Sequence, residues 1–319
     1  MMTRSELRIA GLGIAALIAT SLLPFATEGY YLTLTVNIAI YVVLCTAWTL
    51  FSGPTHYVSL ATAAFYGVGT YTVALGIDTI PFPLLIVIGA LLAGVVAGLV
   101  GLATLRISGV YFVIFTLGLA ELLREVVVWL QTQFGSALGL YVLTDIRERH
   151  ILWMLLGLAA LTYIVGWLIN RSRLGFAMRI IGNDETVARH VGIDTARAKI
   201  ILFVISGMIM GAVGAVLAPR YSYITAPAAF NALISFQVVI MALLGGVHRL
   251  WGPLLGVIPF TILFDQVSTR FPNQSSLVVG IAFVIIVYLL PRGVLGLLED
   301  IRRLWTRLRI GLAAEKVSP

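Results

Sequence analysis

The sequence predicts an all-α polytopic membrane protein: about ten transmembrane helices in two inverted halves of five, with both termini cytoplasmic. Three observations carry this expectation. Hydrophobic residues make up 60% of the 319 and charged residues 11%, with a mean hydropathy of +1.03, a balance foreign to soluble globular domains. Apolar runs close to the ~20 residues that cross a bilayer recur along the chain. Lys and Arg gather in alternate loops, as they do on the cytoplasmic side of membrane proteins.

The crossings fall near residues 8–26, 31–51, 60–77, 82–105, 108–130, 150–169, 199–218, 233–247, 252–268 and 277–291. The first follows Arg4 and Arg8 and ends near Pro24 with no small-x-small cleavage site, so it reads as a retained helix. Arg4, Arg8, Arg106, the 171–199 loop, His248 with Arg249, and the basic tail 292–319 lie on one side, the cytoplasm. The opposite loops carry Glu28, Asp78 and the less basic segments 131–149 and 219–232. The chain is thus one transmembrane domain, 1–319, with a first half of about 1–149 and a second of about 150–291. An echo supports inversion: Tyr57-Val-Ser-Leu-Ala-Thr-Ala-Ala-Phe65 follows the second crossing and Tyr223-Ile-Thr-Ala-Pro-Ala-Ala-Phe230 the seventh, on opposite faces. Chance recurrence of small apolar residues would give the same likeness.

Interior charge is densest in the loop 171–199. A short amphipathic helix is expected inside it, with Asn183 as N-cap, Asp184 and Glu185 in the first turn, and Gly192 at its end. A charged, structured segment facing the cytosol marks contact with a cytosolic partner; an ordered connector is the alternative. Gly94/Gly98, Gly207/Gly211, Gly101 and Gly214 form small-xxx-small faces that let backbones approach. Ser52–Ser59 and Leu244–Pro253 are broken by glycine and proline, which marks either tight cytoplasmic turns or a substrate route. Fourteen uncharged residues separate Arg106 from Glu121, roughly 21 Å of helix, which puts the Glu121, Arg124 and Glu125 cluster towards the outer leaflet as an ion-paired group. Gln237 is suited to interhelical bonding or to lining a path.

Several classes are excluded. The net charge of +7 lies in membrane-flanking segments and is no nucleic-acid footprint. The single cysteine, Cys45, sits in an apolar run, so there is no disulfide framework. His56, His150, His190 and His248 are dispersed without metal-ligand spacing, and no phosphate loop, zinc-protease or nucleophile-elbow motif occurs. The chain is therefore no enzyme and holds no cofactor; any ATP hydrolysis belongs to a partner.

Four segments resemble the LivM-like permease subunits of branched-chain amino acid ABC importers, over about residues 33–296. These are Ser52-Gly53 with Ser59–Tyr71; Leu105–Leu117 with Glu121–Arg124; Gly175–Arg179, Asn183–Glu185 and Gly192–Lys199; and Pro227, Phe230, Ser235, Leu244–Gly246, Trp251–Pro253 and Gly256. The resemblance implies a bacterial inner-membrane permease pairing with a second, LivH-like permease. Two cytoplasmic ATPases, which bind ATP and magnesium, and a periplasmic binding protein would complete the importer. It makes 171–199 the ATPase-coupling segment, with Arg179, Asn183, Asp184, Glu185, Arg189 and Gly192 as its contacts. His56, Ser59, Thr62, Phe65, Gln237, Gly245 and Gly246 are the candidate translocation path. The sequence departs from the family at His56, Thr62, Gln237, His248-Arg249 and Gly135-Ser136 with Gly139-Leu140, which leaves the substrate open among branched-chain or other amino acids, urea or amides, and small carboxylates. The alternative is a passive channel or ion-coupled carrier for small polar solutes, and a membrane-embedded enzyme ranks third.

Overall fold

The computed structural model describes residues 4–26, 29–105, 109–134, 139–247 and 250–289. Its helices are α1 (Arg4–Ala26), α2 (Tyr30–Thr55), α3 (Thr62–Gly76), α4 (Phe82–Thr104), α5 (Val110–Phe134) and α6 (Glu148–Arg171), then the short α7 (Arg173–Asn183) and α8 (Glu185–His190). There follow α9 (Thr195–Leu217), the one-turn α10 (Ala226–Ala229), α11 (Ala232–Gly245), α12 (Gly252–Arg270) and α13 (Ser275–Leu289). Tyr30–Thr55, Phe82–Thr104, Glu148–Arg171, Thr195–Arg220 and Ala226–Gly245 are each long and apolar enough to cross a membrane, as a multi-pass membrane protein requires. Residues 106–108, His248, Arg249, Glu28, Gly135-Ser136 and the tail 292–319 lie outside the described residues.

α2 and α9 form the centre, and what lets other helices reach them is the absence of side chains. A Cβ built on Gly211 would lie 2.3 Å from the Cβ of Ala93, and one on Gly207 2.8 Å from that of Ala97. These glycines seat α9 against α4 as their spacing implies. The seam extends to α3: a Cβ on Gly69 would meet the Gly211 carbonyl oxygen at 1.8 Å, and one on Gly214 the Tyr66 carbonyl oxygen at 2.0 Å. Phe203 of α9 then fills the gaps, its ring 4.9 Å from Phe51 of α2 and 5.3 Å from Phe65 of α3.

Helix α2 runs through Gly53 and Pro54 to Thr55, so the break lies at 56–61 and not at Ser52. There the chain is non-helical, and its polar atoms are met by side chains. Trp48 Nε1 donates to the Ser59 carbonyl at 2.7 Å and the Leu60 amide to Thr116 Oγ1 at 3.0 Å, while in the first turn of α3 the Ala63 amide donates to Ser235 Oγ at 2.9 Å. Such pairing is the condition for non-helical backbone inside an apolar bundle. At the opposite end, β1 (Gly139–Tyr141) and β2 (Tyr223–Thr225) pair antiparallel, Leu140 opposite Ile224. The all-α expectation is corrected by this ribbon, which joins the loops expected on the less basic side. Beside it Arg220 binds Asn37 Oδ1 at 2.7 Å and Glu148 at 3.4 Å.

Glu121 is the twelfth of the 25 residues of α5, so the triad lies halfway along that helix. Arg124 Nη2 lies 2.8 Å from both Glu121 and Glu125.

The glycine seam yields a contrast. Gly69→Val is expected to abolish the monodisperse folded species in detergent or to lower its melting temperature sharply, because overpacking against backbone costs about 1–3 kcal/mol or more. Gly157→Ala, whose added Cβ meets nothing within 4 Å, is expected to leave the thermal melt unchanged or raise it slightly.

Candidate functional site

The segment between α6 and α9 is built from three successive capped helix starts. Ser172 Oγ accepts from the Gly175 amide, Asp184 from the Thr186 and Val187 amides at 2.7 and 3.2 Å, and Asp194 from the Arg197 amide at 3.1 Å. The expected single helix is therefore two, and the cap is Asp184: Asn183 is still the last helical residue of α7. Gly192 does end α8. It has φ 82°, its amide donates to the Arg189 carbonyl, and the Ile193 amide to that of Ala188 at 3.0 Å, the paired closure of a Schellman motif.

α7 is pressed flat against the bundle. A Cβ on Gly175 would lie 2.2 Å from the Ile169 carbonyl oxygen, and one on Gly182 2.3 Å from that of Pro54. Arg179 reaches back to donate to the Asn170 carbonyl at 2.9 Å, which satisfies the open end of α6. Between the ends of α2, α6, α7 and the turn at Val247 and Leu250 lies a cleft of about 480 Å³, bordered by His56, Arg179 and Asn183.

Behind α8 sits the strongest electrostatic feature. Lys199, only 1% exposed, places its Nζ 2.8 Å from Glu185 Oε1, 3.1 Å from the Tyr57 hydroxyl and 3.4 Å from the Leu105 carbonyl, over the Tyr57 ring. Glu185 also accepts from Arg189 at 2.7 Å, Thr195 at 3.2 Å and the Tyr57 hydroxyl at 3.1 Å. Burial pushes the Glu185 carboxyl up. The hydrogen bonds from Lys199 and Arg189, the Lys199 charge and the Tyr57 hydroxyl outweigh this and hold it at about 2, against an ordinary 4.5. Lys199 and Tyr57 were not singled out in the sequence. The available signal was that a lysine one turn into an apolar helix, fourteen residues after an acid, has no solvent to reach.

The coupling candidates thus divide. Arg179, Asn183, Asp184, Arg189 and Gly192 are exposed, whereas Glu185 points into the bundle. Phe176, Val187 and Val191 join the exposed set at 62, 51 and 64%, apolar side chains on a charged segment that sequence reasoning missed. The path candidates fall on the 56–61 segment, α3, α11 and the turn after it. Ser59, Thr62, Phe65, Gln237 and Gly245 are buried in packing, Gln237 accepting from the Tyr41 hydroxyl, and a Cβ on Gly245 would meet the Gly252 carbonyl oxygen at 2.1 Å. Gly246 makes the turn after α11 with φ 99°. His56, in the left-handed region at φ 58°, is exposed and borders the cleft. No group of His, Cys, Asp and Glu suited to a metal occurs among the described residues.

The model of one transporter family, described as the branched-chain amino acid transport system permease component, matches residues 30–290. The chain belongs to this family. It is similar to the high-affinity branched-chain amino acid transport system permease protein LivM of Escherichia coli K12, 24% identical over 88% of this chain and 74% of that protein. Similar too are the corresponding LivH protein of that strain, at 29% over 46% of this chain and 47% of LivH, and the autoinducer 2 import system permease LsrC of Klebsiella pneumoniae, at 28% over 57% and 52%. No solved structure matches. A permease of an importer is what the chain is, and the passive-channel alternative gives way to it.

The Lys199 node has a measurable signature. A carboxyl held below its ordinary value stabilises fully above pH ~4.5 and loses that contribution as pH falls towards about 2. Melting temperature in detergent is therefore expected to be level above pH ~5 and to fall below it, with a shallower acid limb in Glu185→Gln. At neutral pH Glu185→Gln is expected to cost on the order of 3 kcal/mol, since it strands a buried ammonium, and adding Lys199→Met to recover much of that loss. A double variant no more stable than Glu185→Gln would show that the pair is not what holds the segment.

Proposed function

We propose that the chain is the membrane-spanning permease of an ATP-driven importer that moves a branched-chain or other hydrophobic amino acid from the periplasm to the cytoplasm across the bacterial inner membrane. The observation that carries the reading is the anchored 171–199 segment: exposed apolar and charged side chains on the outside, a buried ion pair on the inside. An ordered connector needs neither. A partner that pushes on Phe176, Val187 and Val191 pushes through Glu185 and Lys199 on α9, on the 56–61 segment and on the α4–α5 turn together.

The partners in this reading are a second, LivH-like permease, two cytoplasmic ATPases that bind ATP and magnesium, and a periplasmic binding protein. Relatives named both LivM and LivH among the similar proteins favour two kinds of permease in one assembly. Ten crossings, cytoplasmic termini and a division near residues 149 and 150 are part of the proposal. Packing supports inverted halves: α4 lies on α9 as α12 lies on α2, and α3 on α4 as α11 on α12. ATP-driven closure of the ATPases would shift the anchored segment, and the permease would supply contacts that differ between its outward- and inward-facing states.

Phe176→Asp with Val187→Asp tests the docking surface without touching the ion pair. Amino acid uptake by cells or vesicles carrying the assembled importer is expected to fall at least tenfold at unchanged permease level in the membrane. Uptake at the wild-type rate would place the ATPase contact elsewhere.

A further inference from the structure

Threonine hydroxyls buried in this bundle close on their own helices. Thr46, Thr49 and Thr55 of α2 donate to the carbonyls four residues back at 2.6, 2.8 and 2.6 Å, and Thr70 of α3 does so at 3.0 Å. Thr62 has no such recourse, because it is the first residue of α3 and no helical carbonyl precedes it. It is 1% exposed and its hydroxyl has no partner. Ser52 of α2 also lacks one, but a carbonyl of its own helix stands one turn back. The helix that Thr62 opens is 15 residues long and has Ala61 at its cap, with no side-chain cap for its first amides. Ala61, Ala63 and Ala64 are fully buried, so solvent does not meet these amides. One is met from α11: the Ala63 amide donates to Ser235 Oγ at 2.9 Å, and that buried hydroxyl donates to nothing among the described residues. Within one turn there stand the Thr62 and Ser235 hydroxyl protons and the positive end of a helix. A group that completes such a place brings lone pairs and negative charge, and a cation is repelled by it.

We propose that the start of α3 is where this permease holds the carboxylate of its amino acid in transit, the Thr62 hydroxyl and the first amides of α3 donating to the carboxylate oxygens. The inference rests on the amino acid importer reading above and adds where the chain grips the substrate and by which of its groups. A carboxylate is the one acceptor that every amino acid brings, whatever its side chain, and a helix start after a break in an apolar run is suited to hold it. In the state described, Ser235 Oγ occupies the place on the Ala63 amide that a carboxylate oxygen takes. A shift of α11 from α3 uncovers that amide and turns the Ser235 hydroxyl into a further donor. The 56–61 stretch that leads into α3 is tied through Tyr57 to Lys199, so displacement of the 171–199 segment reaches this point.

The test uses the assembled importer with Thr62→Val, which removes the hydroxyl and keeps the shape. In proteoliposomes, leucine uptake is expected to fall about tenfold or more while ATP hydrolysis stimulated by the binding protein continues, and Thr62→Ser is expected to restore most of the uptake. Without ligand the melting temperature of Thr62→Val is expected to hold or rise, since an unmet buried hydroxyl is gone; a fall would show that the hydroxyl is structural and overturn the proposal. In detergent, without the binding protein, leucine is expected to raise the melting temperature of the wild-type assembly, and leucinol, which lacks the carboxylate, is not; Thr62→Val is expected to lose the effect. Equal shifts from leucine and leucinol, or from leucine and chloride, would overturn the proposal, as would wild-type leucine uptake in Thr62→Val. A wild-type importer that accumulates no amino acid would instead refute the import reading beneath it.

Discussion

A lysine ammonium with almost no exposure governs the end of the bundle from which 171–199 projects. Lys199 stands one turn into α9, beneath α8, and four groups from three parts of the chain answer its charge: Glu185, the Tyr57 hydroxyl, the Tyr57 ring and the Leu105 carbonyl. Removing any one leaves part of a desolvated cation unmet, so the parts are held to one geometry. The three side-chain caps and the glycine contacts of α7 make the segment itself stiff. Stiffness and anchoring together are what transmit displacement; a flexible loop on the same anchor would absorb it.

The interior is arranged to suit. The α3–α4–α9 seam brings backbone against backbone, and close-packed interiors shift as units rather than deform. The 56–61 segment has its polar atoms bonded to Trp48 of α2 and Thr116 of α5. Tyr57 at one end of that segment belongs to the Lys199 node and Ala63 just past the other to the Ser235 hydroxyl of α11. A six-residue non-helical stretch thus connects the anchored loop to the middle of the bundle.

Hydropathy placed a helix on each of the ten apolar runs, and glycine spacing identified the α4–α9 faces, because both signals are local and repeated. The α8 cap lies one residue past the expected Asn183: both Asn183 and Asp184 are good caps, and Asn183 is the last residue of α7. Gly69, within the Ser59–Tyr71 segment, carries no local sign of its contact because its partner Gly211 is 142 residues away. The ribbon, three residues a side, is too short for alternation to show. Lys199 was counted among the basic loop residues that mark the cytoplasmic side, since its burial depends on Glu185 folding back over it. The glycine- and serine-rich family segments drew attention as a path, yet small residues are what tight packing also needs, and the structure uses Ser59, Phe65 and Gly245 for packing.

The arrangement also bears on where a solute could pass. Within this chain several buried polar side chains pair with one another or with backbone, Gln237 with Tyr41, Thr70 with Gly214, Ser206 with Ala47, whereas the Ser52 and Thr62 hydroxyls are buried without a partner. Groups already satisfied by a neighbour make a poor lining for a polar substrate, because displacing them costs the bond they hold.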